Sequence, residues 1–214
     1  MKERLIHNFI NICHDLSSLG LEIGPSGNLS FIDDNNLLIT PTGADFGQIS
    51  LENISICNLD LDIRIIPTPS SDFESHKNIY RKRSDVRVIF HTHSHYVTLA
   101  SMIGLDIPVL NTMHADYFGN SIKCVPFSNH RKNGFGSSES FCEGEIFLIE
   151  KHGGLMFFSD INVEKIINAV RAFEEICRLY CEFKMLNTEI NSIPEEDFSL
   201  IHKYYKNDYG NRLL

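Results

Sequence analysis

Apolar and polar positions along this chain follow two different periods, and each change of period marks an element. Between residues 3 and 19, Leu5, Ile6, Phe9, Ile10, Cys13, Leu16 and Leu19 share one helical face, and Gly20 follows as a stop. LSFI and NLLIT then flank the turn-rich DDNN, which predicts a hairpin over residues 29–40. SSDFESHKNIYRKR reads as a helix with Ser71 or Asp72 near its amino end. VRVIFH is a β-branched apolar run, hence a buried strand. Residues 97–103 suit a short helix, IKCVP a strand, and EIFLIEKHGGLMFF two strands broken at Gly153–Gly154. From about 161 to 186 a long amphipathic helix repeats Ile166, Val170, Phe173, Ile176 and Tyr180. PEEDFSLIHKYY is a last helix with Pro194 in its first turn. Strands and helices mix without a strict βαβ rhythm, which predicts a mixed α/β domain. No repeat, low-complexity tract or linker interrupts the pattern, so residues 1–214 are expected to form a single domain.

Composition adds limits. The 43% apolar and 22% charged shares are those of an ordinary globular protein, and 214 residues can bury a real core. A net charge of −9 argues against nucleic acid or an anionic membrane as the main partner. It leaves small anionic substrates open, because the local field of a site can oppose the net charge. MKERLIHNFINICHDL has no signal-peptide apolar core, and no run approaches a membrane span, so a cytoplasmic protein is expected. The six cysteines show neither CxxC nor finger spacing and are expected as free thiols, with Cys177 and Cys181 packed one helical turn apart in the core.

Three of the ten histidines fall within five residues, in IFHTHSHY. In an extended strand Ile89, His91 and His93 share a face, so the imidazoles of His91 and His93 project together. His-x-His at a strand end supplies two ligands to zinc in many sites, although an exposed polar strand face gives the same pattern. His152 is a third candidate, ending an apolar strand just before two glycines that allow close backbone approach. Three neutral imidazoles leave a zinc one open position, as a catalytic site requires.

GNLS at 27–30, ITPTG at 39–43, PSSD at 69–72, HTHSH at 91–95, HADYF at 114–118, EKHGG at 150–154 and DYGN at 208–211 occur in the order seen in the class II aldolase/adducin family. The chain resembles the zinc-dependent group containing fuculose-1-phosphate aldolase and ribulose-5-phosphate 4-epimerase. The resemblance implies a three-layer α/β/α fold with a central, mostly antiparallel sheet, and a homotetramer with sites at subunit interfaces. It implies one zinc, or another divalent transition metal, per chain on His91, His93 and His152. A Lewis acid there would stabilise an enediolate derived from a ketose phosphate by several kcal/mol, the usual order for such ions. Gly27, Asn28, Thr42, Gly43, Ser70 and Ser71 fall on the family's phosphate-binding loops, where small hydroxyls and backbone N–H groups hold the anion. The same residues are also ordinary turn formers.

The resemblance gives Asp72 the place of the acid/base carboxylate, which is glutamate in the aldolases and aspartate in the epimerases. Read without it, Asp72 caps the following helix, and the two roles are compatible. Asp116 takes the acid/base role of the epimerase HADYF motif. GNSIKCVPF and the chain length resemble the aldolases, whose assisting tyrosine falls at Thr112 here. Tyr209 matches the terminal tyrosine that donates a proton from a neighbouring subunit. Two features depart from the epimerases: Thr40 stands where they carry a phosphate-binding lysine, and their loop glutamate has no counterpart clearer than Glu139. Arg131 and Lys132 read as a solvated basic loop, and His95 is expected to point away from the ligand pair. The expected activity is aldol cleavage of a sugar phosphate by an aldehyde-lyase of carbohydrate metabolism. The alternatives are 4-epimerisation, a related decarboxylase or dehydratase, or a non-catalytic scaffold like the adducin head.

Overall fold

Residues 88–92, VIFHT, are buried along their whole length, so this strand must have neighbours on both sides and cover on both faces. The computed structural model describes residues 3–22, 24–59, 67–127, 141, 143–187 and 189–209, the side chains of 208 and 209 excepted, and it places this strand at the centre of a seven-stranded sheet. The strands are β1 (Asn28–Asp33), β2 (Asn36–Ile39), β3 (Ser55–Asn58), β4 (Val88–Thr92), β5 (Lys123–Val125), β6 (Ile146–Ile149) and β7 (Gly153–Phe158), in the order β3-β2-β1-β4-β7-β6-β5. Every neighbouring pair is antiparallel except β5 with β6. The expected hairpin is β1–β2, turning at Asp34, whose φ of 51° is one that Asp tolerates.

Alternation along the strands divides the core in two. Leu29, Phe31, Val88, Phe90, Leu148 and Met156 face a layer of α1 (Glu3–Ser18), α3 (His95–Ile103) and α5 (Val163–Met185). Ile32, Leu37, Ile89, Leu155 and Phe157 face Ile79 and Tyr80 of α2 (Phe73–Lys82). The three-layer arrangement with a mostly antiparallel sheet follows, and Cys177 and Cys181 are buried in the first layer. Among the described residues no helix is long and apolar enough to cross a membrane.

Three elements differ from the sequence reading. The break between β6 and β7 lies at residues 150–152, with Lys151 at φ 56°, while Gly153 and Gly154 lie inside β7. These glycines serve close packing: a Cβ on Gly153 would sit 2.4 Å from the Thr92 carbonyl oxygen, and one on Gly154 2.6 Å from the Phe173 ring. Edge strand β3 gave no signal in the sequence. Neither did α4 (Thr112–Phe118), which holds the HADYF motif. Its ends are marked: the Asn111 side chain accepts from His114 N at 2.9 Å, and Gly119 closes the helix at φ 62°. The last helix, α6 (Glu195–Tyr204), starts after Pro194 and runs into a π-helical turn, Tyr205–Tyr209.

Candidate metal centre

His91 is the fourth residue of β4, on the face shared with Ile89, and is almost fully buried. His93 lies beyond the strand end rather than within it, and His152 lies in the β6–β7 turn. The sheet order brings them together, because β4 and β7 are paired and Thr92 lies opposite Gly154. His91 Nε2 is 2.8 Å from His93 Nε2 and 3.1 Å from His152 Nε2. Ligands on one tetrahedral zinc at a Zn–N length of about 2.05 Å stand about 3.3 Å apart, close to this spacing.

Hydrogen bonding decides the tautomer of His91. Its Nδ1 lies 2.9 Å from the carbonyl oxygen of Gly154 and must donate to it, which leaves a lone pair on Nε2. Two other Nε2 atoms crowd that lone pair, an arrangement that a cation satisfies far better than hydrogen bonding does. A backbone carbonyl behind a ligating imidazole is also the usual support for such a ligand. Burial first, then His93 and His152, push the His91 imidazole well below its ordinary pKa, so it is neutral and able to ligate at pH 7. His91, His93 and His152 can therefore hold a metal ion.

Asn28 stands directly opposite His91 in the β1–β4 register. Its Nδ2 donates to Asp72 Oδ2 at 2.7 Å, so one amide ties the acidic candidate to the strand pair that carries the first ligand. Asp72 is buried at the N-cap position of α2 yet makes no capping bond with its side chain, so the helix-cap reading is not what the carboxylate does. Gly27 is forced by packing: its φ is 93°, and a Cβ would lie 2.7 Å from the His91 carbonyl oxygen. The other loops are stitched to it. Leu29 N donates to Thr40 Oγ1, Ser70 N to Thr40 O, and Thr42 N to Thr68 O. Gly27, Asn28, Thr42, Gly43, Ser70 and Ser71 thus sit on three neighbouring segments, with Thr42, Gly43 and Ser71 exposed and Asn28 and Ser70 buried. Thr40, at the position of the epimerase lysine, is fully buried and spends its hydroxyl on the backbone.

Below Asp72 lies a buried network absent from the sequence reading. Tyr80 donates its hydroxyl to Ser30 O at 3.0 Å, and Ser30 Oγ lies 2.7 Å from His76 Nδ1. Burial lowers the His76 pKa to about 4, against the opposing pull of Asp72. The spacing of His76 and Tyr80, one helical turn apart on α2, was the signal available.

Among the described residues no hydrogen bond or ion pair links the Asp116 side chain to His91, His93 or His152. Asp116 is half-buried on α4, and desolvation raises its carboxyl pKa against the opposing effect of His202. His202 Nδ1 donates to the carbonyl oxygens of Ala115 and Asp116 at 3.0 and 2.8 Å, docking α6 on α4. His114 of HADYF is an anchor, its Nε2 donating to Asn120 O at 2.9 Å. Thr112 opens α4 and is exposed, and His95, the first residue of α3, is exposed. The Tyr209 side chain, Arg131, Lys132, Glu139 and Cys142 lie outside the described residues.

Comparison with known proteins shows the family. Residues 7–181 match the model of the class II aldolase and adducin N-terminal domain. The chain is 25% identical to L-fuculose phosphate aldolase of Escherichia coli K12 over 219 aligned residues, covering 99% of this chain and 98% of that protein. It is 32% identical to the enzyme of the same name from Methanococcus vannielii over 175 residues, covering 81% and 94%. Among solved structures, YgbL of Klebsiella pneumoniae superposes with a TM-score of 0.80 at 26% identity, covering 93% of this chain and 98% of that one. An L-fuculose 1-phosphate aldolase has the same fold, with a TM-score of 0.84 at 23% identity over 96% and 98% of the two chains. The match spans all seven strands and both sides of the histidine cluster: this chain belongs to the class II aldolase and adducin N-terminal domain family.

Proposed function

We propose that this protein is a zinc-dependent aldehyde-lyase that reversibly cleaves a ketose phosphate into an aldehyde and dihydroxyacetone phosphate. The observation that carries the reading is the convergence of three imidazole nitrogens, two of them 2.8 and 3.1 Å from the Nε2 of a His91 whose tautomer leaves a lone pair there. Zinc held there, about one ion per chain, would supply a Lewis acid that stabilises the enediolate by several kcal/mol as the carbon–carbon bond breaks. The exposed Thr42, Gly43 and Ser71, with Gly27, Asn28 and Ser70, hold the substrate phosphate, and the donor set is uncharged. Asn28 orients Asp72 so that its carboxyl group delivers a proton to the carbon released by cleavage. In the condensing direction Tyr209 donates a proton to the aldehyde oxygen, so in cleavage it takes that proton back from the hydroxyl that becomes the aldehyde. Tyr209 would reach the site from a neighbouring subunit of a homotetramer, so that adjoining chains complete each site.

A second reading, 4-epimerisation, is favoured by the half-buried Asp116, whose raised pKa suits an acid/base group. Both chemistries fit a single-domain cytoplasmic enzyme of carbohydrate metabolism. NMR of the products from a panel of ketose phosphates separates them. Free aldehyde plus dihydroxyacetone phosphate supports the aldolase, and an epimeric pentulose phosphate supports the epimerase. An unchanged panel, with no metal bound, refutes both and leaves the scaffold.

A further inference from the structure

His93 lies in the turn between β4 and α3, and the groups that fix this turn come from distant parts of the chain. Ser94 occupies the N-cap position of α3, yet its side chain makes no capping bond. The Ser94 hydroxyl donates instead to Glu174 Oε2 of α5 at 2.7 Å. The same carboxylate accepts the backbone N–H groups of Tyr96 at 2.9 Å and Val97 at 3.2 Å. These are the second and third residues of the helix, whose donors an N-cap side chain ordinarily satisfies. Glu174 therefore caps α3 from across the fold, and its charge complements the positive end of the helix dipole. On the other side of His93, the Thr92 hydroxyl donates to Leu21 O and accepts from Ser94 N, both at 3.0 Å. His93 is thus the residue between two anchored neighbours.

We propose that Glu174 is a positioning residue of the metal centre: by capping α3 it holds the turn that aims His93 Nε2 at His91 Nε2. The role rests on the metal reading above. Glu174 bonds the turn rather than the rings, so it acts through His93. Glutamine at this position keeps the shape but has one acceptor oxygen for three donors and loses the charge. The ligand is then free to swing, and removal of such a supporting partner weakens metal binding about 10–100-fold.

The test titrates metal-stripped wild type, Glu174→Gln and Val170→Ala with zinc against a competing chelator, and follows amide hydrogen exchange in the metal-free chains. Val170 is buried on the same helix, one turn before Glu174, and its apolar side chain bonds no group of the turn, so Val170→Ala controls for simple loss of stability. Glu174→Gln is expected to weaken zinc binding about 10–100-fold and to speed exchange at Tyr96 and Val97. Val170→Ala is expected to lower the melting temperature with zinc affinity unchanged. Wild-type affinity in Glu174→Gln, or equal weakening in Val170→Ala, overturns the role while the metal reading stands. A wild type that takes up no zinc overturns the metal reading itself, and this role with it. If Glu174→Gln does not fold, Glu174→Asp decides: it keeps the charge but is one methylene short, and wild-type affinity there overturns the role.

Discussion

Gly153→Ala probes the join between the strands that carry the candidate ligands. The new Cβ would lie 2.4 Å from the Thr92 carbonyl oxygen and 3.5 Å from His93 Cδ2. Carbon–oxygen contacts settle at about 3.3–3.6 Å, so the two atoms must part by about 1 Å. Neither backbone moves easily, because Gly153 lies opposite Ile149 in β6 and Thr92 opposite Gly154 in β7. Overpacking of this kind costs about 1–3 kcal/mol. A domain of this size loses about 2–4 °C of melting temperature per kcal/mol, so metal-free Gly153→Ala should melt about 2–12 °C below wild type. Parting the strands also draws His152 away from His91 and His93, and zinc affinity should fall as well. Gly154→Ala is the comparison, because its Cβ would meet the Phe173 and Val97 side chains rather than the backbone beside His93. It should cost stability with a smaller effect on zinc. Calorimetry of the stripped proteins and chelator competition measure the two effects. Wild-type melting and wild-type affinity in Gly153→Ala would refute the reasoning.

Other consequences are equally direct. Burial lowers the His114 pKa to about 4, below the unfolded value, so the unfolded chain takes up a proton that the folded chain refuses, and stability is lost as pH falls from about 6.5 toward 4. Urea unfolding should show His114→Gln losing about 2 kcal/mol less than wild type between pH 7 and 5, and equal losses would contradict the assignment. Ser71→Asp places like charge in the phosphate cradle and should abolish binding of phosphorylated substrate, whereas unchanged affinity by calorimetry would make the loops ordinary turns. Tyr209→Phe should lower turnover about 10²–10⁴-fold with fold and metal intact. Mixing it with inactive His93→Ala subunits should restore some activity, and loss without rescue in verified mixed tetramers would refute a shared site.

Much of this was legible because periodicity reports burial. The heptad-like recurrence from Ile166 to Tyr180 marked α5, and DDNN between apolar runs marked the β1–β2 turn. His91 was readable as a ligand because a two-residue strand period and a second histidine coincide. Elements shorter than a few turns carried too little pattern: β3 has four residues, and α4 shows itself mainly through Asn111 and Gly119 at its ends. Gly153 and Gly154 misled because glycine marks both turns and close contacts, and only the neighbouring strand tells which. Partnerships across the fold were not readable at all. Asn28 meets Asp72 across 44 residues, and Glu174 meets Ser94 across 80, and no local pattern in the sequence ties residues that far apart.

Metal content most directly tests the claim that three histidines form a catalytic metal centre. Wild-type protein and His91→Ala/His152→Ala, purified alike and dialysed against zinc and then metal-free buffer, are compared by elemental mass spectrometry, with circular dichroism to confirm folding. An open catalytic site is less tied to folding than a closed structural one, so the double variant should stay folded. The expected result is about one zinc per wild-type chain and none in the variant. Stoichiometric zinc retained by the folded variant, or none in wild type, would contradict the account.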